Sequence, residues 1–136
     1  MSVQVIAWSP SGAVRILDQR ALPGARIERD LETADDVADA IRTLQVRGAP
    51  LIGIAAAMGL VAALRPHRAA RRDAFLARLA ELATLLGATR PTAVNLRWAL
   101  ERMGRAAHAA PGDGGAVWER LAALFDGPPV SMLGAD

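Results

Sequence analysis

The sequence predicts an α+β fold that is mostly helical, with a small N-terminal antiparallel sheet followed by about five helices. Three observations carry this expectation. Residues 3–8 (VQVIAW) and 13–18 (AVRILD) are β-leaning runs on either side of a Ser9-Pro10-Ser11-Gly12 turn, which is a hairpin signal. From Thr33 onward the apolar residues recur at helical spacing. Pro and Gly punctuate the successive periodic segments.

Taken in order, residues 25–29 (ARIER) alternate and add a third strand after the Leu22-Pro23-Gly24 turn. Thr33 and Asp36 form a T-x-x-D capping box, and Val37, Ala40, Ile41 and Leu44 share one face of the first helix. That helix should stop near Gln45 and Val46. Ala49 or Pro50 opens a second helix, since Pro is tolerated in a first turn whose N–H groups have no partner anyway. Gly53, Ala56, Ala57 and Gly59 let other backbones approach it closely, so it should be the central helix. Arg65-Pro66-His67 ends it. A third helix turns Phe75, Leu79, Leu82 and Leu86 inward and stops at Gly87. A fourth starts at Pro91 and runs to about His108, with Leu96, Leu100 and Met103 inside. Its outer side carries Arg97, Glu101 and Arg105, spaced for a solvated salt-bridge ladder. Residues 111–115 form a linker. Val117, Leu121 and Leu124 mark a last helix. The chain thus reads as one domain over 1–125, with the sheet in 1–31, the helices in 32–125 and an irregular tail at 126–136.

Composition narrows the function classes. The 136 residues are 52% hydrophobic and 22% charged, which is globular rather than disordered. There is no cysteine, which excludes a disulfide framework, thiolate zinc sites and a cysteine nucleophile within this chain. The pI of about 10.8 is misleading, because the net charge is only +2. Every basic residue is Arg, whose guanidinium hardly titrates. A nucleic-acid partner is therefore not expected. Residues 1–10 do not read as a signal peptide. The apolar run 49–64 falls short of the roughly 20 residues that cross a bilayer, so the expectation is a soluble cytoplasmic protein with no membrane partner.

Two places share a physical design. At Arg47-Gly48-Ala49-Pro50, an Arg and unhindered amides lie at a helix start; at Arg90-Pro91-Thr92, another Arg precedes another Pro-initiated helix. Helix N-termini present unpaired N–H groups and partial positive charge, which favour an anion. A guanidinium adds a planar donor fork that matches phosphate. Gly48 allows close approach to the backbone. The plainer alternative is that each Arg pairs with a carboxylate or with solvent. Arg47 stands directly against an apolar run, where a poorly solvated guanidinium would need an anionic partner.

The other candidates read as structural. His67 and His108 lack a second ligand at useful spacing, so no metal site is expected. Ser2, Ser9, Ser11 and Ser131 lie in turns or termini and suggest no hydrolase triad. Asp35, Asp36 and Asp39 form a capping cluster and solvated face. Arg65, Arg68, Arg71 and Arg72 read as a solvated helix start without the aromatic interleaving of a nucleic-acid surface. Trp8, Trp98 and Trp118 read as core or subunit-contact residues.

Three blocks together resemble one family. LDQRALP (17–23), IRTLQVRGAPLIGIAAAMGL (41–60) and TRPTAVNLRWALERM (89–103) are similar to the N-terminal domain of the methylthioribose-1-phosphate isomerases. The resemblance covers roughly residues 14–103. Related folds include ribose-1,5-bisphosphate isomerase and regulatory subunits of the translation-initiation guanine-nucleotide exchange factor. The resemblance implies conversion of 5-methylthioribose 1-phosphate to 5-methylthioribulose 1-phosphate in methionine salvage, without a metal or organic cofactor. It implies substrate binding by Arg47, Gly48 and Ala49 of the RGA motif and by Arg90 of the RPT motif. Family members are usually dimers.

In that family a Cys and an Asp of a C-terminal Rossmann-like domain carry catalysis. This chain has no Cys, and FDGPPVSMLGAD stands where the second domain should begin. No catalytic residue is assigned here, and the expectation is a truncated or excised part of an isomerase that lacks activity alone. A ribose-1,5-bisphosphate isomerase fragment, or a non-catalytic binding module of the same fold, is the alternative.

Overall fold

The structure is a computed structural model and describes residues 5–125. The expected tail at 126–136 and the first two residues of the expected strand at 3–8 lie outside these. Three strands form an antiparallel sheet in the order β1 (Ile6–Trp8), β2 (Val14–Leu17), β3 (Glu28–Leu31). Ile6 pairs with Ile16 and Trp8 with Val14, so Ile6, Val14 and Ile16 project from one face into the core. The hairpin turn is closed by Ser9, whose N–H donates to the Ala13 carbonyl at 2.8 Å and whose Oγ accepts from the Ala13 N–H at 3.0 Å.

The third strand lies three residues later than its alternation predicts. Leu17 pairs with Glu28, and Arg15 faces Asp30, with its Nε 2.7 Å from the carboxylate. Leu31, not Ile27, enters the core. The connection from β2 takes up a 3-10 turn, Gln19–Ala21, and a cis peptide before Pro23.

Five helices follow: α1 (Ala34–Arg42), α2 (Ala49–Leu64), α3 (Arg72–Gly87), α4 (Val94–Ala109) and α5 (Gly114–Ala123). Both halves of the Thr33–Asp36 capping box form. Val37, Ala40 and Ile41 are buried as the spacing requires. Leu44 is not: it lies beyond the helix, exposed, with φ 64°.

α2 is the hub, packed against α1, α3, α4, α5 and β2. Its small residues make this possible. A Cβ on Gly53 would sit 3.1 Å from the Asn95 carbonyl of α4, and one on Gly59 would sit 2.7 Å from Val37 Cγ1 of α1. With the 3-10 turn Arg65–His67, α2 makes a helical run, Ala49–His67, of 19 residues. That run is long and apolar enough to cross a bilayer by length and composition, which the sixteen-residue reading missed. Its apolar surface is largely covered by neighbouring elements instead.

Phe75, Leu79, Leu82 and Leu86 of α3 and Leu96, Leu100 and Met103 of α4 are buried as expected. Gly87 is the last residue of α3 and not a left-handed stop, for the cap, Ala88, keeps φ at −72°. The fourth helix starts at Val94, not at Pro91: a turn closed by the Ala93 N–H on the Arg90 carbonyl at 2.9 Å precedes it. Arg97, Glu101 and Arg105 are exposed, yet no ion pair joins them among the described residues. Solvated pairs of this kind gain too little to hold long side chains together. Of the aromatic residues, Trp8 and Trp118 pack against the core. Trp118 Nε1 donates to the Val61 carbonyl at 2.9 Å. Trp98 is exposed.

Of the arginines around the α2–α3 connection, Arg65, Arg68 and Arg71 are exposed, as a solvated helix start requires, and Arg72 is half-buried. Arg65 donates to the Ser11 carbonyl at 2.7 Å, and the Arg68 guanidinium sits 5.0 Å from the centre of the Trp118 ring. Arg72 reaches the carbonyls of Ala110, Gly112 (3.1 Å) and His108 (2.9 Å) at the end of α4. The carbonyls of His108 and Ala110 are among those a helix C-terminus leaves without partners, and Gly112 follows in the connection to α5. Arg72→Met, which keeps much of the apolar stem, is expected to lower stability by about 1.5 kcal/mol. An unfolding midpoint equal to that of the wild type would show that solvent serves these carbonyls as well.

Candidate functional site

α2 and α4 begin side by side, and their first turns line one cavity of about 440 Å³. Arg47, Gly48 and Ala49 form one side of it, and Arg90, Thr92 and Asn95 the other. The structure therefore brings all four residues singled out in the sequence to one place.

Gly48 is the N-cap of α2, with φ 92° and no side chain to cap the helix. That conformation favours glycine, and a Cβ there would meet nothing within 4 Å. The requirement at Gly48 is thus conformational, and the space above it is open. The first helical bond runs from the Ile52 N–H to the Gly48 carbonyl at 2.9 Å. The Ala49 N–H has no intrahelical acceptor, and Pro50 has no N–H to satisfy.

α4 starts in the same way. Its N-cap, Ala93, offers no side-chain acceptor, and its first helical bond is Arg97 N–H to the Ala93 carbonyl. Val94, Asn95 and Leu96 therefore bring further unpartnered N–H groups to the cavity wall. Two partially positive helix ends, Arg47 and Arg90 border the same space.

Arg47 and Arg90 are both exposed, which removes the argument that Arg47 is poorly solvated. One bond positions Arg47: its Nη2 donates to the Gln19 carbonyl at 3.3 Å. Neither arginine pairs with a carboxylate among the described residues, and no acidic side chain lines the cavity. Such an arrangement can grip a small anion through several N–H donors at once.

Behind Gln19 stands an ionic centre that sequence reasoning missed. Asp18 is 2% exposed. It accepts from the Arg20 N–H at 2.9 Å, Arg20 Nη2 at 3.0 Å and Arg29 Nε at 2.9 Å. Hydrogen bonds from Arg20 hold its carboxyl well below the usual carboxylate range; burial opposes them and Arg29 reinforces them. Asp18 also caps the 3-10 turn that presents Gln19. The Gln19 N–H donates to the Gln45 carbonyl at 2.8 Å, two residues before Arg47. An Asp ending a β-strand and followed by Q-R was the one local signal. Arg29 lies eleven residues away, outside any local pattern.

Leu44, Thr92, Val94 and Asn95 also line the cavity without having been singled out as site residues. The histidines stand apart from it. His67 accepts a long bond from Arg78 Nε at 3.4 Å, and no cluster of metal-ligating side chains occurs among the described residues.

Fold and cavity define a helical domain, with a small sheet at one end, that presents an open cavity bordered by Arg47 and Arg90 at two adjacent helix starts. The chain matches the Initiation factor 2 subunit family over residues 45–118 and belongs to that family. It is 50% identical over 125 residues to the methylthioribose-1-phosphate isomerase of Gemmatimonas aurantiaca, covering 91% of this chain and 35% of that protein. It superposes on 5-methylthioribose 1-phosphate isomerase from Pyrococcus horikoshii OT3 with a TM-score of 0.78 at 30% identity, over 92% of this chain and 36% of that one. Subunit delta of the translation initiation factor eIF-2B from A. fulgidus gives a TM-score of 0.80 at 34% identity, over 90% and 35%. The chain thus spans about a third of the length of these proteins.

Proposed function

We propose that the cavity holds the phosphate of a sugar 1-phosphate. On this reading the chain is the substrate-gripping part of a cytoplasmic isomerase that converts 5-methylthioribose 1-phosphate to 5-methylthioribulose 1-phosphate in methionine salvage. The single observation that carries it is the meeting of Arg47, Arg90 and two uncapped helix starts around one cavity, with no carboxylate lining it among the described residues. The similarity to methylthioribose-1-phosphate isomerases supplies the substrate.

The chemistry explains why this grip matters. With phosphate on the anomeric oxygen, the sugar cannot open to a free aldehyde. The ring must be opened while phosphorylated and a hydrogen moved from C2 to C1. Fixing the phosphate in the helix-start cradle fixes C1 and C2 against the reacting groups. This chain contributes binding and orientation. It contains no cysteine, and none of its residues is assigned to catalysis.

The test is binding of 5-methylthioribose 1-phosphate by calorimetry. Arg47→Ala and Arg90→Ala should each weaken it about tenfold, as expected for a lost hydrogen bond to a charged group. Unchanged affinity in both variants would remove the anion site. The purified 136-residue chain should bind without turnover, and measurable isomerisation would overturn the division of labour. A second reading, a non-catalytic binding module, is favoured by the likeness to subunit delta of eIF-2B. It predicts a folded, monodisperse chain that captures a sugar phosphate or another protein chain and remains inactive when supplied with the rest of an isomerase.

A further inference from the structure

Leu44 occupies a position where the backbone favours glycine. It closes α1 in a Schellman motif: the Gln45 N–H donates to the Ala40 carbonyl at 2.9 Å and the Leu44 N–H to the Ile41 carbonyl at 3.3 Å. Its φ of 64° crowds Cβ against its own backbone, and it is the sole non-glycine residue with positive φ among those described. Burial does not offset that strain, because the side chain is 38% exposed and lies outside the core cluster.

What Leu44 does instead is line the cavity that holds Arg47 and Arg90. Val94, the first residue of α4, lines it too and is 63% exposed. The cavity therefore combines cationic donors with two aliphatic side chains that nothing in the described fold covers. Its complement is a ligand with one phosphate and an uncharged, apolar arm. The side chains of Leu44 and Val94 themselves offer no donor or acceptor to a second phosphate or a free hydroxyl directed at them.

We propose that Leu44 is a specificity-determining residue that, with Val94, forms the wall for the apolar 5-substituent of the sugar phosphate. This rests on the cavity being the sugar-phosphate site. A left-handed backbone at position 44 turns the Leu side chain toward the ligand and away from the core, where continuation of α1 would have put it. The same wall selects against a 1,5-bisphosphate and against a 5-hydroxyl.

The experiment measures binding of three probes to the full chain: inorganic phosphate, ribose 1-phosphate and 5-methylthioribose 1-phosphate. The wild type should prefer the methylthio sugar over ribose 1-phosphate by about tenfold, the discrimination typical of a small apolar group in an apolar site. Leu44→Gly should reduce that preference to about threefold or less. Its unfolding midpoint should stay at or above the wild-type value, because glycine adopts this conformation freely. Leu44→Met should keep the preference, since it restores apolar bulk. A full preference in Leu44→Gly would overturn the proposal, as would equal binding of the two sugars by the wild type; in both cases the anion site would stand. Failure of all three probes to bind would remove the site itself and this inference with it.

Discussion

Replacing Asp18 with Asn is expected to lower stability at neutral pH by about 2 kcal/mol, in the range for losing hydrogen bonds to a charged group. The carboxylate is almost completely buried, while its partners Arg20 and Arg29 are partly solvated. An amide of the same shape keeps some hydrogen bonds but leaves two guanidinium groups facing a neutral side chain. The pH dependence follows from the sign of the shift. The folded-state pKa of Asp18 is depressed, so its stabilisation is present above the unfolded-state value of about 3.9 and is lost as pH falls below it. The stability gap between wild type and Asp18→Asn should therefore be constant from pH 7 to about 5 and narrow below about 4. Denaturant titrations at these pH values measure it. A gap that does not change on acidification would mean that the charge of Asp18 is not the stabilising element.

The same substitution should reach the cavity proposed to hold phosphate. Asp18 caps the turn presenting Gln19, whose carbonyl holds Arg47 and whose N–H holds Gln45. Weaker pairing of an amide with Arg20 and Arg29 loosens the turn that carries the acceptor of Arg47, so on the proposed reading phosphate affinity should fall modestly even under conditions where the variant stays folded. An ionic centre away from the cavity thus supports the geometry of the cavity.

Gly59→Ala is expected to cost about 2 kcal/mol, although alanine is the better helix former. The added Cβ would lie 2.7 and 2.8 Å from the two methyl carbons of Val37. Val37 is β-branched, sits in a helix and is 1% exposed, so it has no alternative rotamer to retreat into. One of the two helices must move. Val37→Ala opens the space, and in that background Gly59→Ala should cost less than half as much. Strict additivity of the two substitutions would show that the α1–α2 approach is not what requires glycine at 59.

Several parts of the molecule were legible because their causes are local. The Thr33 capping box depends on residues three apart, and both of its bonds form. The inward faces of α3 and α4 follow from helical spacing. α2 could be read as the hub from Gly53, Ala56, Ala57 and Gly59, because only a helix approached closely from several sides needs so little bulk. Where the reading went astray, a longer-range contact decided. The third strand was displaced because β2 selects its register by pairing Leu17 with Glu28. Leu44 fits the α1 stripe by spacing, yet the Schellman closure turns it out of the helix.

By itself, the sequence determined the α+β class, the Thr33 capping box, the buried faces of α3 and α4 and the two Arg-bearing motifs that precede α2 and α4, all of which depend on spacings within a turn or two of chain. Only the tertiary structure decided that Arg47 and Arg90 line the same cavity, that no described carboxylate neutralises either, and that Asp18 gathers Arg20 and Arg29 beneath the site. The physical reason is that these relations depend on how α2 crosses α4 and how β3 folds back on β2. Such packing is set by side chains tens of residues apart, which no local period encodes.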